Sequence, residues 1–307
     1  MIVSASYRTD IPAFFAGWFR ARLAAGHGEI ANPYGGKPYR VDLRGENVDG
    51  YVFWTRNAAP FADAFVDVAA LSLPFVVQFT ITGYPRRLDA HTLRADETML
   101  QIVALAQKYG PRAVVWRYDP VLITSHTPAE WHRRNFADIA ARLAGSVDEC
   151  VVSFAQIYKK TRRRLDQAAN TPDFAWNEPN WDEKRALLAE LSKIAGENGI
   201  QMTICSQPEV LTAGPAAGLA AASCIDAARL SDVAGYDISA RRKGNRVGCL
   251  CVESRDIGTY DTCPMAACIA TRCQITTRRS RSCVALCPRL PAGSYLAVGR
   301  RPPARQP

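Results

Sequence analysis

A chain of 307 residues, 48% hydrophobic and 22% charged, can bury a large core, which excludes a disordered polymer and a disulfide-stapled miniature. Its net charge of +9 would suggest nucleic acid, but residues 265–307 carry eight arginines, no lysine and no acid. Without them 30 basic residues (38 less 8) face 29 acidic ones, so the body is nearly neutral and a nucleic-acid groove on the fold is disfavoured.

Met1–Ser6 is too short for a signal peptide and is interrupted by Arg8 and Asp10. Nothing approaches the roughly 18 uninterrupted apolar residues of a membrane span. The expected compartment is the cytoplasm, with no membrane partner; clustered cysteines there are more often metal ligands than disulfides.

In chain order, Ile2–Ser6 reads as a strand, and Asp10-Ile11-Pro12 opens a helix that Gly26 ends. A turn-rich stretch, Asn32–Pro38, precedes a second strand at about Gly50–Trp54 and a helix at about Pro60–Ala70. In the third strand, Phe75–Ile81, apolar Val77, Phe79 and Ile81 alternate with Gln78, Thr80 and Thr82. A helix at Ala95–Tyr109 and a strand at Ala113–Tyr118 follow. Thr127-Pro128 then caps a helix at Ala129–Leu143, ahead of a strand at Cys150–Phe154. The basic run Tyr158–Arg164 opens a helix and reads as a solvated face. Trp181–Ala195 is helical, and Ile200–Cys205 is the sixth strand.

Six strand–helix units in alternation predict a parallel sheet with helical crossovers. Polar residues collect at the strand ends: Arg8 and Asp10, Thr55 and Asn57, Thr80 and Thr82, Arg117 and Asp119, Ser153 and Gln156, then Cys205. No G-x-G-x-x-G loop marks a doubly wound nucleotide fold. The expected fold is therefore α/β, a partial (βα)6 TIM-like barrel whose site lies at the strand C-termini. The organisation reads as a barrel over 1–210, a cysteine-rich cluster-binding region over 211–264 and an irregular basic tail over 265–307.

Of ten cysteines, Cys249, Cys251 and Cys263 lie within a short polar stretch, and a C-x-C pair lets two thiolates reach one metal. With Cys205 and Cys224, the C-x-C pair makes four thiolates, enough for a closed cluster or a structural Zn²⁺. Buried free thiols are the plainer reading, and Cys150, inside an apolar strand, is taken as core. Arg8, Arg117 and Asp119 are candidates for holding a carboxylate or phosphate of a cofactor, with Asn57 and Thr80 as hydrogen-bonding neighbours. Asp10 reads as a helix cap. His27, His91, His126 and His132 show no ligand spacing.

Several motifs together resemble the bacterial family named domain of unknown function 1848. They are Ser4-Ala5-Ser6-x-Arg8-Thr9-Asp10-Ile11-Pro12-Ala13-Phe14, Val52-Phe53-Trp54-Thr55-x-Asn57, Phe79–Tyr84, Val115–Pro120, Ser223–Asp226 and Cys249-x-Cys251–Gly258. That family's C-terminal pattern, C-P-x-x-C-x-x-C-Y, is similar to the C-x3-C-x2-C loop of radical S-adenosylmethionine enzymes. The resemblance implies one or two [4Fe–4S] clusters, S-adenosylmethionine as cofactor, radical chemistry on an unnamed substrate, and an electron donor such as flavodoxin or ferredoxin.

Cys263-Pro264 fits that pattern, but Ala267 and Ala270 stand where the next cysteines belong, and Cys268 and Cys273 are out of register. Inserting one C before the codon of Met265 permits His-Gly-Cys-x-Tyr-Cys-Tyr, which restores both. The expectation is a frameshifted tail after Pro264, in which Cys268, Cys273, Cys283 and Cys287 have no designed role and the cofactor cluster is broken. Competing readings are a non-catalytic zinc or iron–sulfur protein and a nucleic-acid-binding or repair protein.

Overall fold

The computed structural model describes residues 1–32, 36–212, 218–260 and 262–264. The tail from residue 265, with its proposed frameshift and its four cysteines, lies outside the described residues.

The first strand, β1 (Ile2–Ala5), leads through Asp10 into α1 (Ile11–Phe14) and α2 (Ala16–Ala25). Asp10 caps α1 by accepting from the Ala13 N–H at 2.9 Å, and Gly26 closes α2 in the left-handed region at φ 79°. A small antiparallel hairpin follows, β2 (His27–Ile30) with β3 (Tyr39–Asp42). Next come β4 (Gly50–Thr55), α3 (Ala62–Ala70), β5 (Phe75–Thr80), α4 (Ala95–Tyr109) and β6 (Val114–Val121). Then α5 (Ala129–Leu143), β7 (Glu149–Phe154), α6 (Lys159–Ala168), α7 (Trp181–Glu197) and β8 (Gln201–Ile204) complete the alternation. The remaining elements are β9 (Ala220–Ala221), α8 (Ala227–Ala234) and β10 (Ser254–Asp256).

Eight strands form one parallel sheet in the order β10-β1-β4-β5-β6-β7-β8-β9, and among the described residues that sheet does not close. The fold is thus α/β with a large parallel sheet. The six expected strands are present. The two added edge strands are two and three residues long, too short for alternation to reveal them. Thr127 is not a cap: its hydroxyl donates to the Leu122 carbonyl at 2.9 Å, and Pro128 takes the cap position.

Strand periodicity gives the sheet two buried faces. The helix-covered face carries Val3, Tyr51, Phe53, Val77, Phe79, Trp116, Tyr118 and Val152. Phe53 sits at the middle of an aromatic cluster, with ring centroids 5.1–5.8 Å from Phe19, Tyr51, Phe61, Phe65 and Phe75. The opposite face changes character along each strand. Near the strand N-termini it is apolar, with Ile2, Val52, Val76, Val115 and Val151 packed together. Two residues further on it carries Ser4, Trp54, Gln78, Arg117 and Ser153 and is mostly polar.

Under that apolar layer, α8 closes the lower end. Its buried Arg229 donates to Asp148 at 2.9 Å, to Glu149 at 2.7 Å and to the Arg112 carbonyl at 3.0 Å. Both terminal nitrogens of this buried guanidinium are thus paired, which offsets the cost of removing it from water.

Candidate functional site

The polar half of that second face opens into a cavity of about 650 Å³ at the strand C-terminal ends. Nine of the ten residues nominated from sequence line it: Arg8, Thr80, Arg117, Asp119, Cys205, Cys224, Cys249, Cys251 and Cys263. Asn57 does not join them. Its carboxamide oxygen accepts from Gln101 at 3.1 Å and from the Ala59 N–H at 3.2 Å, which ties the end of β4 to α4.

Four sulfurs form a connected group. Cys205 follows β8, Cys224 follows β9, and Cys249 and Cys251 precede β10, so three chain segments bring them together. Sγ of Cys205 and Sγ of Cys224 are 3.7 Å apart, and the electrostatic coupling of the thiols runs on from Cys224 to Cys251 and Cys249. The Ile225 N–H also points at Cys251 Sγ, at 3.3 Å. The hydrogen bond from Cys251 draws the Cys249 thiol down to about 5, against the effect of burial. Cys224 and Cys251 are each lowered by one sulfur neighbour, but the bond to the next sulfur and burial push both up to about 11. Cys205 is also raised, by its bond to Cys224 and by burial. Cys249 is thus the most acidic thiol of the four. Among the described residues no set of three or more His, Cys, Asp or Glu side chains is placed so that it could hold a metal ion.

Two guanidiniums touch this group. Arg117 donates to Cys224 Sγ at 2.9 Å and to Gln78 Oε1 at 3.2 Å, and pairs with Asp119; Arg246 donates to Cys205 Sγ at 3.4 Å. The Arg117 guanidinium lies 5.0 Å over the Trp54 ring. Burial alone would raise Asp119, but Arg117 and a hydrogen bond from Ser153 hold its carboxyl below the usual range. Burial disfavours the charge on Arg117 too, yet Cys224 and Asp119 keep it protonated.

The N-terminal wall of the cavity is built on Asp256. This buried carboxylate accepts from Ser4 Oγ at 2.9 Å, Ser6 Oγ at 2.7 Å, the Tyr7 N–H at 3.0 Å and the Gly258 N–H at 2.9 Å. Gly258 is required here, because a Cβ would fall 2.1 Å from Ser6 Oγ. Next to the hub, Asp10 accepts from Thr55 Oγ1 at 2.8 Å and the Arg56 N–H at 2.8 Å; burial, outweighing these bonds, pushes its carboxyl up to about 6.

Sequence reasoning passed over Asp256 and Arg246 as site residues. Asp256 meets its partners Ser4 and Ser6 at separations of 252 and 250 residues, which no local pattern displays. For Arg246 the available signal was the basic run Arg241-Arg242-Lys243 just ahead of the C-x-C pair.

The sequence model of a family described as "Domain of unknown function (DUF1848)" matches residues 2–270. No curated protein and no solved structure matches the chain.

Proposed function

We propose that this chain, which belongs to the DUF1848 family, is an iron–sulfur-binding protein similar to radical S-adenosylmethionine enzymes, with its inorganic centre on Cys205, Cys224, Cys249 and Cys251. The observation that carries this reading is the meeting of four thiols from three separate segments in the wall of one large polar cavity. Core cysteines have no reason to meet, and Cys150, which is one, stands alone in an apolar strand.

The donor set fits such a group. Thiolates are the usual iron–sulfur ligands, and cationic donors to sulfur, as Arg117 and Arg246 are, offset the negative charge of four thiolates. When bound, the centre would supply one-electron reduction. Arg117 holds Cys224 in place and keeps Asp119 ionised, and Trp54 screens Arg117 from water. Arg8, Thr80, Arg117 and Asp119 are the residues available to orient a charged cofactor of the S-adenosylmethionine type. Cys263 lines the same cavity, and in this reading an off-frame tail after Pro264 removes its two companions. Resequencing around codon 265 checks that point.

We further take the sheet to curl as a partial (βα)6 barrel in the cytoplasm. Support comes from Cys224 and Cys251, which flank the two outermost strands yet pack in one cluster with Ile2, Val76 and Val151. Among the described residues no helix is long and apolar enough to cross a membrane.

One distance favours a second reading. Four thiolates at about 2.3 Å around a tetrahedral zinc stand roughly 3.8 Å apart, and Cys205 and Cys224 are 3.7 Å apart. A structural zinc without catalysis is therefore the alternative.

Anaerobic reconstitution with iron and sulfide, followed by metal analysis, separates the two. Iron at about two or more per chain with matching sulfide, lost in Cys224→Ser, supports the first. A colourless chain holding one zinc supports the second, and retention of neither metal rejects both.

A further inference from the structure

The charge of α6 is out of keeping with the rest of the fold. Over residues 1–264 the chain carries 30 basic residues (38 less 8) and 29 acidic ones. Five of those cations, Lys159, Lys160, Arg162, Arg163 and Arg164, fall within six positions of this one helix. Helical spacing sets like charges side by side: Lys159 meets Arg162 and Arg163, and Lys160 meets Arg163 and Arg164. No acid stands in the first turn to offset them or the positive end of the helix. Lys159, Arg162 and Arg163 are exposed. Among the described residues Lys159 and Arg163 have no ion-pair partner, and Arg162 has Glu178 alone, at 3.9 Å. The helix thus keeps an arrangement that its own stability opposes, and such conflicts collect at functional surfaces.

The run also has a definite place. Tyr158, the residue before α6, lines the cavity together with Arg246, and the two stand within electrostatic reach of each other. Arg246 in turn donates to Cys205 Sγ at 3.4 Å. Two side chains therefore link the start of the basic helix to the thiol wall. Tyr158 and Val247, 52% and 90% exposed, add apolar surface beside the cations. Apolar and aromatic groups ringed by polar ones are the usual make-up of a protein interface.

Charge selects the occupant. The chain's own residues 265–307, with eight arginines and no acid, do not complement this face. A nucleic-acid strand needs a longer track than the 10 residues of α6, which span about 15 Å. Asp166, two residues beyond Arg164, and Glu178, beside Arg162, also break the basic surface. An acidic protein needs only a local patch of opposite sign.

We propose that the exposed face of α6, with Tyr158 and Arg246, is the docking surface for an acidic one-electron carrier protein. The role of the partner as a carrier rests on the iron–sulfur reading above; the charge of the face does not.

The experiment is titration of the full, metal-stripped chain into a labelled flavodoxin of net negative charge, read by fluorescence anisotropy. Binding should weaken steeply between about 10 and 150 mM salt, where the screening length falls from about 30 to about 8 Å. Lys159→Glu together with Arg163→Glu should weaken it by about tenfold or more. Lys108→Glu with Lys193→Glu makes the same change in net charge on α4 and α7, and should weaken it by less than about threefold. The α6 pair should not unfold the chain. It removes like-charge neighbours and places an acid in the first turn, so the melting temperature should hold or rise. The neutral pair Lys159→Gln with Arg163→Gln, which creates no new ion pair, should give an intermediate loss.

Equal losses from the α6 pair and the control pair would overturn the proposal, because binding would then follow net charge or residues 265–307. So would an oligothymidylate of about 20 nucleotides that binds more tightly than flavodoxin and weakens with the same α6 pair. Absence of binding at the lowest salt would overturn it outright. A chain that binds flavodoxin through α6 yet never retains iron would sink the metal reading and leave the docking face standing. Iron retained without such binding would do the reverse.

Discussion

The two walls of the cavity are built on opposite plans. The N-terminal wall comes from the ends of β1 and β4 and is fixed by Asp256, whose four hydrogen bonds are all made within the protein. The thiol wall comes from segments after β8 and before β10, and its sulfurs bond chiefly to one another and to two guanidiniums. In the first wall the central carboxylate is fully bonded as folded. The other is a set of soft ligands with protons still to lose. Substitutions in the first should therefore act on stability, and those in the second on reactivity and metal content.

The sharpest break of that contrast is Asp256→Ala. It leaves two serines, two backbone N–H groups and Arg8 without their acceptor or counter-charge, and should cost about 3–5 kcal/mol in urea unfolding. Cys224→Ser, on the other wall, should cost less than half of that. If the two costs proved equal, the contrast would be wrong.

Asp10 gives a pH test of the N-terminal wall. Its folded carboxyl titrates at about 6 against 3.8 for the ordinary group. Below about pH 4 both states are protonated and no stability is lost. Between pH 4 and 6 the unfolded chain ionises first, so stability falls as pH rises, by up to about 3 kcal/mol. Unfolding curves across that window should show the fall in the native chain and a flatter profile in Asp10→Asn.

Gly258→Ala is smaller again. The added methyl must displace Ser6 Oγ, at about 1–3 kcal/mol, and Ser6→Ala in the same chain should recover part of it. The last prediction concerns rate. With its thiol at about 5, Cys249 should be carbamidomethylated by iodoacetamide at pH 7 well before Cys205, Cys224 and Cys251, as read by peptide mass mapping. Labelling that starts at Cys224 would contradict the hydrogen-bond order of the thiol group.

How much of this was legible in the sequence follows the range of each interaction. Elements such as β5, α4 and α5 announce themselves because their period repeats several times within the element. β9 and β10 are too short to show a period, and they form because β8 and β1 offer unpaired edges. The thiol group was readable because a C-x-C pair in a polar stretch is an unusual place for buried core cysteines. Asn57 misled for a definite reason: a polar residue at a strand end can equally serve the nearest turn, and its carboxamide does that through Ala59 and Gln101. The unpartnered Nε of Arg8 could not be read at all, because it depends on how many other groups reach Asp256 first.

That hub also has a consequence for synthesis. Ser4 leaves the ribosome 252 residues ahead of the carboxylate it binds. At 5–20 residues per second the interval is roughly 12–50 s. For that time β1 is held on one side only, by β4, with a bare edge where β10 will dock. A nascent chain is thus exposed to strand-pairing errors at this edge until β10 emerges, and a chaperone that shields the edge would act before β10 docks.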